Sequence, residues 1–137
     1  MRYTLFDNQR DVIILLARIV LMILFVMSGW SKMTGFDGTV GYLESLGAPM
    51  PMVAAGVAVI MEFFVAILLI LGFYTRPLAF LFALFVIGTA VIGHPFWNMV
   101  DPARAANSVQ FFKNLSICGG LLLLSVTGAG KFSVDGR

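Results

Sequence analysis

The sequence predicts an all-α integral membrane four-helix bundle, with a short interfacial helix in the first outer loop and one domain over residues 1–137. Three observations carry the prediction. Sixty per cent of the residues are hydrophobic and 12% are charged, about half the charged share of an ordinary soluble domain. The mean hydropathy is strongly positive, and a soluble fold of this length has too little interior to hide so much apolar surface. Finally, the apolar residues fall into four runs, each about the length that crosses roughly 30 Å of hydrocarbon at 1.5 Å per residue.

The first run covers about 12–33, after Arg10 and Asp11. It is longer than a signal-peptide core and is followed by no convincing cleavage site, so it reads as a retained span. The connection that follows, 34–51, carries Val40, Leu43 and Leu46 at helical spacing, with Glu44 and Ser45 off that face and Gly47 as a stop. That pattern predicts the interfacial helix. The second span, about 52–71, opens after Pro49 and Pro51; the third, about 77–93, lies between Arg76-Pro77 and His94-Pro95; the fourth, about 111–127, ends at Gly128. Trp30, Tyr42, Phe96, Trp97 and Tyr74 fall near the ends of these spans, where an aromatic belt sits.

Orientation follows from the basic residues. Arg2, Arg10, Arg76, Lys131 and Arg137 fall on one side, against Lys32, Arg104 and Lys113 on the other, which predicts both termini in the cytoplasm. A net charge of +2 with no basic run argues against nucleic acid as a partner. One cysteine, Cys118, allows no internal disulfide and no redox dithiol, and one histidine allows no His-rich metal site. Cys118 and Ser125 share a face of the fourth span and read as packing residues. The residues supply no Ser-His-Asp triad and no phosphate loop. Redox chemistry, if the protein takes part in any, has to come from a ligand or a partner.

The polar residues within the spans define a candidate site. A charge at the bilayer centre costs at least about 2.5–3.5 kcal/mol, so each needs a partner or a purpose. Glu62 lies near the middle of the second span, and with Ala55, Val59 and Ala66 on its stripe it must face another helix. Arg18, with Met22, Phe25, Gly29 and Lys32, forms a stripe on the first span. Its guanidinium has the reach either to snorkel to the headgroups or to meet Glu62 as a charged floor, and such a pair would serve a ligand or only the packing. Lys32, His94 and Lys113 fall in the outer third of three spans, where they either converge on one vestibule or serve locally, His94 as a polar helix-terminal residue before Pro95 and Lys113 by snorkelling outward. Trp97 and Phe96 would stack on a flat ring held beside His94, or serve as belt anchors, and Asn98 and Asn114 add neutral hydrogen-bonding groups.

In order and spacing, Ala17-Arg18-Ile19, the run Ser31 to Gly38, the run Leu46 to Pro51, Met61-Glu62, the run Leu71 to Pro77, the run Gly88 to His94 and Lys113-Asn114 resemble the DoxX family of bacterial four-helix membrane proteins, in its YphA-like branch. The resemblance implies an inner membrane location and a link to quinone-coupled oxidation and to membrane oxidoreductase assemblies. It carries over no catalytic residue. The expected function is therefore a redox-associated membrane protein that holds a quinone-like or other lipophilic molecule among Arg18, Lys32, Glu62, His94, Trp97, Lys113 and Asn114. The alternatives are a non-catalytic subunit or scaffold that recruits an oxidoreductase and, ranked last because no repeat symmetry is visible, a small transporter or permeability factor. Small residues on the helix faces permit a homodimer.

Overall fold

The computed structural model describes residues 5–137 and contains helices and turns, with no strand among the described residues. Arg2, one of the cations in the orientation count, lies outside them. Helix α1 (Arg10–Thr34) crosses the molecule once and stops at Gly35, and α2 (Phe36–Ser45) is the short connecting helix expected in the first loop. In α2, Val40, Leu43 and Leu46 are partly covered while Glu44 and Ser45 face out. Three further spans follow: α3 (Pro51–Leu71), α4 (Thr75–Gly93) and α5 (Ala103–Thr127). After α5 the chain runs without helix to Arg137.

Two of these elements depart from what hydropathy marks. Helix α5 begins at Ala103, about two turns before the apolar run, because Ala103–Gln110 is polar yet contains good helix formers. Helix α3 is α-helical over Pro51–Val59 and Ala66–Leu71 but π-helical over Ile60–Val65, the segment that holds Glu62. Nothing in the run of Ile, Met, Phe and Val signals that extra residue in the turn. Such π turns often mark functional sites.

The spans pack as two hairpins, α1 with α3 and α4 with α5, the second pair in the more extensive contact. Met22 and Phe25 of α1, Leu69 of α3, Phe82 and Val86 of α4 and Leu121 of α5 interlock between them. The rings of Phe25 and Phe82 meet edge to face at 4.9 Å. Outside this core every long helix presents large apolar side chains, among them Val20, Ile60, Leu84 and Leu123. An apolar girdle of that extent belongs in hydrocarbon.

Helices α1 and α3 are in tight backbone contact at Gly29. A methyl group there would stand 2.6 Å from the Phe63 amide nitrogen and 2.7 Å from the Glu62 carbonyl carbon. The absent side chain lets the π turn lie against α1. Gly29→Ala is expected to destabilise the protein by about 1–3 kcal/mol, as overpacking against fixed backbone does. Denaturant titration in mixed micelles checks it, and an unchanged midpoint would mean that the helices separate freely.

The end of the bundle where α1 begins and α5 ends is closed by the C-terminal tail. Val134 and Asp135 donate their amides to the carbonyls of Leu71 and Gly72, at 3.0 and 2.9 Å. Gly72 holds φ +74° and has no room for a side chain, since a Cβ would come within 2.3 Å of Ser133. The Asp135 carboxylate accepts from the amides of Tyr74 and Thr75 at 2.9 and 2.8 Å and so caps the start of α4 from a distant part of the chain. Partial burial works against that charge, but the Thr75 and Tyr74 amides outweigh it with help from Arg137, and the carboxyl titrates below its ordinary value. A depressed carboxyl pKa contributes stability above the unfolded value of about 3.9 and loses it as pH falls through the folded one. Asp135→Asn is thus expected to be less stable than the parent at pH 7, with the difference shrinking as the pH falls below about 3.9, in paired melting curves.

Candidate functional site

The half of the bundle away from the termini holds a half-open cavity of about 530 Å³, lined by all four spans and by α2. Its volume falls within the roughly 300–1,000 Å³ of small-molecule sites. The cavity lies in the seam between the two hairpins. Tyr42 ties α2 to α4 by donating its hydroxyl to the Gly93 carbonyl at 3.0 Å.

On one wall stands an ion pair. Lys32 Nζ lies 2.9 Å from each carboxylate oxygen of Glu62, and the Ser28 hydroxyl bridges them, donating to Glu62 at 3.0 Å while accepting from Lys32 at 2.8 Å. Ser28 and Lys32 are one helical turn apart on α1 and share a face. The Glu62 side chain is 7% exposed and that of Lys32 is 32% exposed, so the carboxylate is enclosed and the ammonium sits at the edge.

The opposite wall is built by α4 and α5. His94 Nδ1 lies 2.8 Å from the Asn107 side-chain oxygen, and the same amide donates its Nδ2 to the Ala103 carbonyl at 3.0 Å. That orientation of Asn107 assigns the proton to Nδ1. Nε2 has no partner among the described residues. About two turns further along α5, Asn114 donates to the Thr89 hydroxyl at 3.3 Å, and Lys113 donates to the Gln110 amide oxygen. Toward the termini the lining turns apolar, with Leu24, Phe25 and Phe85.

Five of the residues singled out in the sequence thus face one space: Lys32, Glu62, His94, Lys113 and Asn114. Two do not. Arg18 has no contact with Glu62; it is fully buried at the closed end, where its guanidinium donates to the carbonyls of Ile70 at 2.6 Å, Leu69 at 3.4 Å and Phe132 of the tail. The reason is directional. Side chains on a helix lean toward its N-terminus, which for α1 carries Arg18 away from the bundle centre and Lys32 toward it. The charged floor expected from Arg18 and Glu62 is therefore replaced by a wall pair of Lys32 and Glu62. Trp97 does not line the cavity; it packs edge-on against Phe96 and Phe111, with ring centres 5.3 and 5.8 Å away, and is nearly half exposed.

Sequence reasoning gave no site role to Ser28, Thr89 and Asn107 and read Tyr42 only as a belt residue, yet these four complete the polar lining or hold it in place. Ser28 was legible as the residue one turn before Lys32 on the same face. Asn107 was not, because it lies outside the apolar run that marked the fourth span.

An all-α bundle with four spans and a half-open, partly charged cavity defines a multi-pass membrane protein with a candidate ligand chamber. The chain belongs to the DoxX family, whose profile matches residues 13–95. It is 53% identical to the inner membrane protein YphA of Escherichia coli, over all of this chain and 98% of the other. It is 41% identical to the E. coli inner membrane protein YqjF over 91% of each chain. A more limited match, 36% identity over 56% of each chain, is to the putative oxidoreductase CatD of Bacillus subtilis. No solved structure matches the chain. The relatives named as inner membrane proteins and the four spans place this protein in a lipid bilayer.

Proposed function

We propose that this DoxX-family protein holds a quinone-like or other lipophilic small molecule in the cavity between its hairpins and serves a membrane redox system. The observation that carries the reading is the convergence of Lys32, Glu62, His94, Lys113 and Asn114 on one space with an apolar floor. A lipophilic body packs on Phe25 and Phe85, and a polar head meets the side chains above them. The limited likeness to a putative oxidoreductase supports the redox association. With no dithiol and a single histidine in the chain, the protein's own part is to bind and orient, and electron transfer belongs to the ligand or to an oxidoreductase partner. The distribution of Lys and Arg supports an orientation with both termini in the cytoplasm, in which the cavity faces the outer leaflet.

Gly88 supplies the test. It lines the cavity, and a Cβ there meets nothing within 4 Å, so a large side chain enters empty space. Purified protein in lipid nanodiscs is titrated with a short-chain quinone, comparing the parent with Gly88→Leu, His94→Ala and Glu62→Gln. Expected is saturable binding by the parent, abolished by Gly88→Leu at unchanged melting temperature and weakened about tenfold by His94→Ala or Glu62→Gln, the equivalent of one lost hydrogen bond. Equal affinity in all four proteins would dismiss the cavity as a ligand site.

A further inference from the structure

The two walls of the cavity are unequal in charge. Glu62 is neutralised by Lys32, whose Nζ stands 2.9 Å from both of its oxygens. Lys113 lines the same space from the facing hairpin and has only the neutral amide oxygen of Gln110 as a partner. Among the described residues no carboxylate lies within ion-pair distance of it. The other polar groups of the lining, Ser28, Thr39, Tyr42, Thr89 and Asn114, are uncharged side chains, and the His94 ring is held by Asn107. One acid and two lysines thus leave the cavity with one positive charge in excess.

That excess decides which lipophilic ligand the cavity suits. Lys113 is an exposed residue at the edge of the cavity, and without a ligand head over it its ammonium keeps access to water. A neutral ligand head filling the space would cover the ammonium and leave it without a counter-ion in a low-dielectric setting, which is costly. An anionic head removes that cost and adds a charge-assisted hydrogen bond. The apolar floor at Leu24, Phe25 and Phe85 lies about one to two turns toward the termini from Lys113, so an elongated body fits below a head placed there.

We propose that the cavity selects a singly charged anionic amphiphile, a weak acid on an apolar body, whose acidic oxygens pair with Lys113 while the body lies over Phe25 and Phe85. This rests on the cavity being a ligand site, as above, and narrows the ligand to acids. Two sources share this chemistry, a long-chain carboxylic acid and an acidic hydroxyquinone, and the experiment separates them.

Parent protein, Lys113→Gln and Lys113→Arg in nanodiscs are titrated at pH 8.5, which keeps a membrane-bound carboxyl ionised, with two matched pairs: dodecanoate against dodecanol, and a hydroxynaphthoquinone against its methyl ether. The acid of one or both pairs is expected to bind the parent about tenfold more tightly than its neutral twin. The preference is expected to collapse to within about twofold in Lys113→Gln and to return in Lys113→Arg, a pattern that a purely structural role for Lys113 would not produce. Preference in the first pair alone marks the carboxylic acid as the ligand class, and in the second alone the quinone. If acid and neutral twins bind equally, the charge selection is wrong and the cavity reading stands. If no probe binds, or if Gly88→Leu leaves all affinities unchanged, both fall together. A preference that survives Lys113→Gln would overturn the assignment to Lys113.

Discussion

Replacing Arg18 by Met is expected to destabilise the protein by at least about 3 kcal/mol, because it strips two or more charge-assisted hydrogen bonds, each worth about 1.5–3 kcal/mol, from buried carbonyls. Methionine roughly preserves the length of the side chain, so the loss isolates the guanidinium. The carbonyls of Leu69 and Ile70 are among the last of α3, Leu69 also accepting from the Gly72 amide at 3.2 Å, and the third belongs to Phe132 in the tail. A single side chain from α1 thus closes the end of α3 and fastens the C-terminal tail across it. The local consequence is as specific as the global one. Amide exchange at Val134 and Asp135, which donate to Leu71 and Gly72, should speed up in Arg18→Met well beyond the change at the core amides of α4. Arg18→Lys should recover only part of the loss, since a point ammonium cannot span three carbonyls as a planar fork does. Parent-like stability together with parent-like exchange in the tail would show that the cage is incidental.

The second large effect belongs to the wall pair. Lys32→Met leaves the Glu62 carboxylate enclosed, and with no counter-ion the expected cost is about 3–5 kcal/mol, or protonation of the acid in its place. Glu62→Leu should cost less. The orphaned ammonium keeps a side chain 32% exposed and swings out to the headgroups, an escape that the carboxylate, 7% exposed, does not have. The double variant is expected to be more stable than Lys32→Met alone, because the uncompensated charge is gone. Denaturant titration of all four proteins closes the cycle. Equal losses for the two single variants, or simple additivity in the double, would contradict the geometry.

The spans were legible in the sequence because hydropathy and length are local properties, and hydrocarbon imposes both on any backbone that crosses it. The enclosure of Glu62 was legible for the same reason, since no short acidic side chain reaches water from mid-span. So was the gathering of Lys32, His94 and Lys113, because four consecutive crossings leave only two ends for a polar group to occupy. The partner of Glu62 was a different matter. Arg18 and Lys32 lie on one stripe of α1, and choosing between them needs the lean of side chains along the helix, the rotation of α1 against α3 and the π turn that presses Glu62 and Phe63 onto Gly29.

What residue order alone decided is the solvent of this protein, the number of its crossings and the depth of each charge, all of which follow from how far an α-helix rises per residue through an apolar slab. What only the folded chain decided is which charges meet. Arg18 answers to carbonyls contributed from 51 to 114 residues away and His94 to an asparagine on the next helix, and Lys113 is left without an acid. Depth along the membrane normal can be counted from a string of letters. Azimuth about a helix axis, the path of an irregular tail and the resulting charge excess in a cavity arise from side chains packing against one another, and packing is a property of the whole.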